Sequence, residues 1–243
     1  MEIFRKMSFA DSTGDAIPFY HEGKYHIFSL TSPPGTTVYP ERLRTTWSHS
    51  ISDDLVHWQE LPTALYPGEG DEPDASGVWT GSVIYGEGQY HAFYTGYCLT
   101  AEFQQTICHA TSDDGITWTK DIANPVITPM TELYEKLDWR DPYVFYNEED
   151  ENYWILISAR RLDMPVTRRG CIVLYRSKNL KDWTYYGPIY SPGHTNCPEC
   201  PEMYKMGGHW YLSYSRFSEF VNTIYRVSES PVSYTHLRAH ETR

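Results

Sequence analysis

Three carboxylates stand out because each opens a segment of the same kind. Asp15 precedes Ile17-Pro18-Phe19-Tyr20, Asp141 lies in Trp139-Arg140-Asp141-Pro142, and Glu199 lies in Cys197-Pro198-Glu199-Cys200-Pro201-Glu202. Acids gathered at one place repel, which separates their proton affinities and lets one stay protonated while another is ionised. That combination suits glycoside cleavage, in which one acid protonates the leaving oxygen and one carboxylate meets the anomeric carbon. A single Asp before a strand is more simply a turn or capping group. Three at recurring places, two of them beside proline, favour the catalytic reading. Arg140, next to Asp141, can pair with it and keep it ionised.

The recurring places come from an internal repeat. IPFYHEGKYHIF (17–28), VIYGEGQYHAFY (83–94), YVFYNEEDENYWILI (143–157) and MYKMGGHWYLSY (203–214) each read as strand, turn, aromatic strand, which is a β-hairpin signal. Their aromatic pairs recur about every 60 residues, a spacing typical of propeller blades and other repeats. Between the hairpins a second element recurs. Ser52-Asp53-Asp54 leads to Trp58, Ser112-Asp113-Asp114 to Trp118, and Ser177-Lys178-Asn179 to Trp183. The polar residues are expected to form turns, and the three tryptophans to pack between blades. Each repeat thus holds about four strands, as a propeller blade does.

The expected fold is therefore all-β, a β-propeller of which about four blades are present. Its first strands would line a central channel and bring Asp15, Asp141 and Glu199 together. Helical periodicity is almost absent, Thr131–Leu137 being the best short candidate. Segments 31–46 and 67–77 read as loops. Residues 1–231 are assigned to the propeller, taken as incomplete. The pattern stops after Pro231, and 232–243, which lack a hairpin and turn basic, read as a non-native tail.

Composition narrows the partner. The chain has 243 residues, a net charge of −12, and 16% aromatic residues. Nucleic-acid binding depends on Lys and Arg neutralising phosphates, so nucleic acid is not expected. Stacking aromatics suit a neutral sugar. No apolar run reaches the ~18 residues of a membrane span, and no apolar stretch of a secretory leader follows Arg5 and Lys6. A cytoplasmic protein without membrane partners is expected. Five cysteines form an odd set, and the Cys197/Cys200 spacing lacks the second pair a zinc site needs, so neither metal nor cofactor is expected.

The residues resemble glycoside hydrolase family 32, the invertase, levanase and fructosidase group. The similarity spans nearly all of 8–230 and is most specific in WTGS (79–82), SHSISDDLVHW (48–58), WRDP (139–142) and ECPE (199–202). It implies a five-bladed β-propeller, of which about four blades are present here, followed by a β-sandwich, and retaining hydrolysis of β-fructofuranosides such as sucrose, sucrose phosphate or fructans. It implies that Glu199 is the acid/base and that Asp141 binds fructosyl hydroxyls. Asp15 fits the nucleophile, with Asp11 as a rival, because the chain reads FADSTGDAIPFY where the family has a motif like WMNDPNG. Trp79 and Ser82 match positions near the sugar, and Arg140 and Cys200 match neighbours of the acids. Phe19 and Trp47 are further substrate-binding candidates, with a core role as the competing reading. His26, His49, His57 and His91 are expected to be structural. Two alternatives remain open: an arabinosidase or xylosidase resembling family 43, and a carbohydrate-binding propeller without catalysis.

Overall fold

The computed structural model describes residues 12–36, 38–217, 221–232 and 240–242. They form two compact units, Met1–Val126 and Ile127–Arg243, each holding two four-stranded antiparallel sheets. In the first unit, β1 (Thr13–His21), β2 (Lys24–Thr31), β3 (Thr46–Ser52) and β4 (Trp58–Leu65) make one sheet. The other consists of β5 (Gly77–Gly86), β6 (Gln89–Tyr97), β7 (Gln105–Ser112) and β8 (Thr119–Lys120). In the second unit, β9 (Tyr134–Asn147), β10 (Asn152–Arg161), β11 (Gly170–Ser177) and β12 (Thr184–Tyr190) pair in chain order. So do β13 (Glu199–Met206), β14 (His209–Arg216), β15 (Asn222–Ser228) and β16 (His240–Thr242). Sheets of four strands in simple up-and-down order are the make-up of propeller blades. The all-β class and the four blades are as the repeats predict. Among the described residues no helix is long and apolar enough to cross a membrane.

Local chemistry explains the repeat. β1 turns into β2 through Glu22 and Gly23, at φ 47° and 80°, and β5 into β6 through Glu87 and Gly88, at 50° and 82°. Positive φ at both central residues gives the turn whose twist matches the strands it joins. The second recurring element is a side-chain turn. Asp54 Oδ1 accepts from the amides of Val56 and His57 at 2.9 and 2.8 Å. Asp114 does the same for Ile116 and Thr117, and Asn179 for Lys181 and Asp182. These residues shape turns, as their types suggest. His57 joins one of them through Nδ1, 2.7 Å from Asp54 Oδ2.

The Thr131–Leu137 stretch is not helical. Tyr134 opens β9 opposite Arg161, and its buried hydroxyl meets that of Tyr185 at 2.8 Å. Pairing with β10 and burial of this ring override the weak local preference for helix.

Each unit has its own core between its two sheets. The first joins Ile17, Phe28 and Trp47 to Val78, Val83 and Tyr94, with Trp118 packed against it. The second joins Trp154, Leu156 and Ile172 to Met203, Trp210 and Leu212.

Two buried histidine pairs sit in the first unit. His26 Nδ1 lies 3.0 Å from His49 Nε2, and His91 Nδ1 lies 2.9 Å from His109 Nε2. His109 Nδ1 continues to Asp121 at 3.1 Å, whereas His49 Nδ1 is buried without a partner. Burial first, and the neighbouring His26 second, pull the His49 imidazole down to about 3. His26 is lowered by burial first, and then by the neighbouring His21 and Lys24. An imidazole held neutral by the fold binds its proton more readily once unfolded, so stability is full above the free value of about 6.5 and falls as pH drops below it. The unfolding free energy is expected to decline by up to about 1.4 kcal/mol per pH unit on account of His49 between pH 6.5 and pH 4. Urea melts at pH 7 and pH 5 check this. His49→Gln should flatten the decline, and an unchanged slope in that variant would be incompatible with His49 as its source.

Candidate active site

The first strand of every sheet is interrupted by a bulge, near the start of β1, β5 and β13 and midway along β9. Two residues there oppose one on the neighbouring strand: Gly14-Asp15, Trp79-Thr80, Asp141-Pro142 and Cys200-Pro201. Bulges bend a strand and re-aim its side chains, and they gather beside functional sites. Asp141 and Cys200 are left-handed, at φ 56° and 48°, a conformation costing a residue with a Cβ roughly 1–2 kcal/mol. Strain retained at two corresponding positions points to a use for the geometry.

The bulges also correct the expected equivalence of the three acids. Matching the left-handed residues and the prolines after them sets Asp141 against Cys200 and Arg140 against Glu199. Glu199 thus stands one residue before the bulge, Asp141 at its first position and Asp15 at its second. A one-residue offset reverses side-chain direction in a strand, and the bulge accommodates it.

In the first unit, Asp15 is exposed and accepts a hydrogen bond from the Thr80 hydroxyl. Thr80 belongs to the WTGS motif but was not singled out by sequence reasoning. Trp79 is half-buried, stacked on Tyr97 with ring centres 4.1 Å apart, and its Nε1 donates to the Leu43 carbonyl at 3.0 Å. Gly81 is needed because a Cβ there would lie 2.0 Å from the Phe93 carbonyl oxygen. Asp11, the rival nucleophile, lies outside the described residues.

Of the further substrate-binding candidates, Trp47 and Ser82 are buried and Phe19 is half-buried. Trp47 is 0% exposed, and its Nε1 donates to the Trp79 carbonyl at 2.9 Å. It supports Trp79 from within the core and has no face for a sugar. Ser82 is buried at 5% exposure. Phe19 packs against the core, its ring 5.7 Å from His26 and 6.0 Å from Tyr90. Aromatic type alone does not tell a stacking platform from a core residue; burial does.

In the second unit, β9 and β13 bring Arg140, Asp141 and Glu199 together. Arg140 Nη2 lies 2.8 Å from Glu199 Oε1, its Nη1 2.5 Å from Asp138 Oδ1, and its Nε 3.7 Å from Asp141 Oδ2. Asp141 is 6% exposed and accepts from the Cys200 amide at 3.0 Å. The Glu199 side chain is one-third exposed. One carboxylate is therefore enclosed and fixed while the other is open enough to meet a ligand. Ser158 of β10 donates to the Pro198 carbonyl at 2.5 Å, holding the chain just ahead of Glu199.

Burial opposes the charge on Arg140, but the surrounding anions, Asp141 and Asp138 among them, outweigh it and hold the guanidinium firmly protonated. Burial works against ionisation of Asp138 too, yet Arg140 and Arg160 keep it below the usual carboxylate range. Cys197 is a free thiol pushed up to about 12, by burial above all, and so is neutral. Among the described residues no group of three His, Cys, Asp or Glu is arranged to hold a metal.

Asp138 and Arg160 were missed in the sequence because neither belongs to a recognisable motif. The available signal was position: Asp138 lies two residues before Arg140 and so shares its face of β9.

Comparison with known proteins gives this geometry a context. Residues 15–240 match the model of the Glycosyl hydrolases family 32 N-terminal domain. A levanase of Bacillus subtilis is 33% identical over 198 residues, covering 77% of this chain and 26% of that protein. A raffinose invertase of Escherichia coli is 32% identical, covering 79% and 39%. The chain thus spans about a quarter to two-fifths of the length of these curated relatives. The crystal structure of fructan 1-exohydrolase IIa from Cichorium intybus superimposes with a TM-score of 0.77 at 25% identity, covering 94% of this chain and 44% of that one. The matches support a fructoside-directed reading and lend nothing to the arabinosidase or xylosidase alternative.

Proposed function

The chain belongs to glycosyl hydrolase family 32, and on that premise we propose that it carries the catalytic carboxylates of a retaining β-fructofuranosidase. Its substrates are sucrose, sucrose phosphate or fructans, in keeping with the levan-, raffinose- and fructan-directed names of its relatives. The observation that carries the proposal is the Arg140 fork, with enclosed Asp141 on one side and half-open Glu199 on the other.

Glu199 protonates the leaving glycosidic oxygen while Asp15 attacks the anomeric carbon, so one C–O bond breaks as another forms. Asp141 accepts hydrogen bonds from fructosyl hydroxyls as positive charge develops on the sugar ring. Water then attacks the fructosyl-enzyme, Glu199 taking its proton, and Asp15 is released with the anomeric configuration retained. The chemistry requires the Asp15 and Glu199 carboxyl groups to stand ~5–5.5 Å apart. Trp79, pinned by Tyr97 and Leu43, is the aromatic candidate for contact with the sugar.

Incubation with sucrose, raffinose, inulin and levan tests the proposal. Release of fructose from at least one of them is expected. Calorimetric binding of these sugars with no release would favour a non-catalytic carbohydrate-binding role instead.

A further inference from the structure

Arg140 is one link in a longer chain of alternating charges. Beyond Arg140, Asp138 Oδ2 meets Arg160 Nη1 at 3.0 Å, and Arg160 Nη1 meets Glu135 Oε2 at 2.7 Å. Glu135 in turn pairs with Arg169. The far end of this chain is tied to the 162–169 connection between β10 and β11. Arg160 donates to the Val166 carbonyl at 3.1 Å, and Arg169 to the Met164 carbonyl at 2.8 Å. The side chains of Arg140 and Arg160 are only 13% and 12% exposed, so solvent screens their charges weakly.

A guanidinium facing a single carboxylate tends to grip both of its oxygens. Here Asp138 takes Nη1, and Arg140 reaches Glu199 through Nη2 and Oε1. We propose that Asp138, held on its other side by Arg160, is a positioning residue for the acid/base step. It fixes the angle of Arg140 and offsets part of its charge, so that Glu199 is oriented by one oxygen without being locked in its ionised form. This rests on the assignment of Glu199 as acid/base made above. Among the described residues, the charged and titratable groups around Arg140 include Asp138 and Asp141 on β9, Arg160 on β10, Cys197 before β13, and Glu199 on β13. Cys197 is neutral, so the balance is set by carboxylates and guanidinium groups.

The two partners have opposite electrostatic effects. Asp138→Asn leaves the Arg140 charge less compensated, favouring the ionised acid. The alkaline limb of the kcat/KM–pH profile should move to lower pH by roughly half a unit. Arg160→Gln removes the cation competing for Asp138, so the same limb should move to higher pH. With Asp138→Asn, kcat should fall by roughly tenfold with little change in KM, since orientation is what is lost. Asp138→Glu, which keeps the charge, should restore the limb.

Profiles of the native protein and the three variants, read beside their melting curves, decide the matter. Should Asp138→Asn fail to fold, the upward shift in Arg160→Gln carries the test. Limbs that move in the same direction, or stay in place while the native protein releases fructose, overturn the positioning role. A native protein that releases no fructose overturns the assignment of Glu199 instead.

Discussion

Glu199→Gln is expected to lower kcat for fructoside cleavage by roughly 10²–10⁴-fold, the range over which a positioned acid/base contributes. The amide retains an oxygen that can accept from Arg140 Nη2, now 2.8 Å from Glu199 Oε1. The fold and the Arg140 fork should therefore persist, with melting close to that of the native protein. What is lost is the proton for the departing oxygen and the base for the attacking water. Substrates whose leaving group needs no proton should lose far less in the first step, and the alkaline limb of the pH profile should vanish. Steady-state kinetics with sucrose and with an activated fructoside measure both effects. Equal losses in kcat/KM, which reports the first step alone, on the two substrates would speak against Glu199 as the acid.

Asp141→Asn is the second large effect. Asparagine tolerates left-handed backbone better than most residues, so it suits the φ of 56° that Asp141 adopts. Its side-chain oxygen can still accept from the Cys200 amide, which Asp141 now holds at 3.0 Å. Stability should change little. In the proposed role a negative charge facing the transition state is lost, and removal of one preorganised electrostatic group typically costs about 10²–10³-fold in rate. A fall of that size in kcat/KM, with an unaltered melt, separates an electrostatic role from a structural one. A large drop in melting temperature with proportionate loss of activity would instead make Asp141 a scaffold residue.

Much of this was legible in the sequence for physical reasons. Strand alternation, glycine at turn positions and the recurring Ser-x-Asp turns are local signals, and they gave the four blades. The motifs around Arg140, Asp141 and Glu199 were legible because proline and paired charges stand out. The bulges were not. A single extra residue leaves no mark on composition, yet the matching bulges are what show that Glu199 corresponds to Arg140, and Asp141 to Cys200. Burial was equally hidden. Trp47 looks like a sugar platform in sequence, but contacts from strands distant along the chain enclose it in the core, with Phe19 half-buried against the same cluster. Asp138 and Arg160 matter through an ion network, and nothing in either residue's local sequence signals a partner so far along the chain.

In the mechanism proposed above, Asp15 forms a covalent bond to the sugar with Glu199 as its acid/base. Glu199→Gln treated with fructosyl fluoride should accumulate the intermediate, because fluoride departs without a proton and the base for water is missing. Fragmentation mass spectrometry should then find one hexosyl residue on Asp15. A label on Asp11 or another carboxylate, or an unlabelled protein releasing product of inverted configuration, would contradict the account.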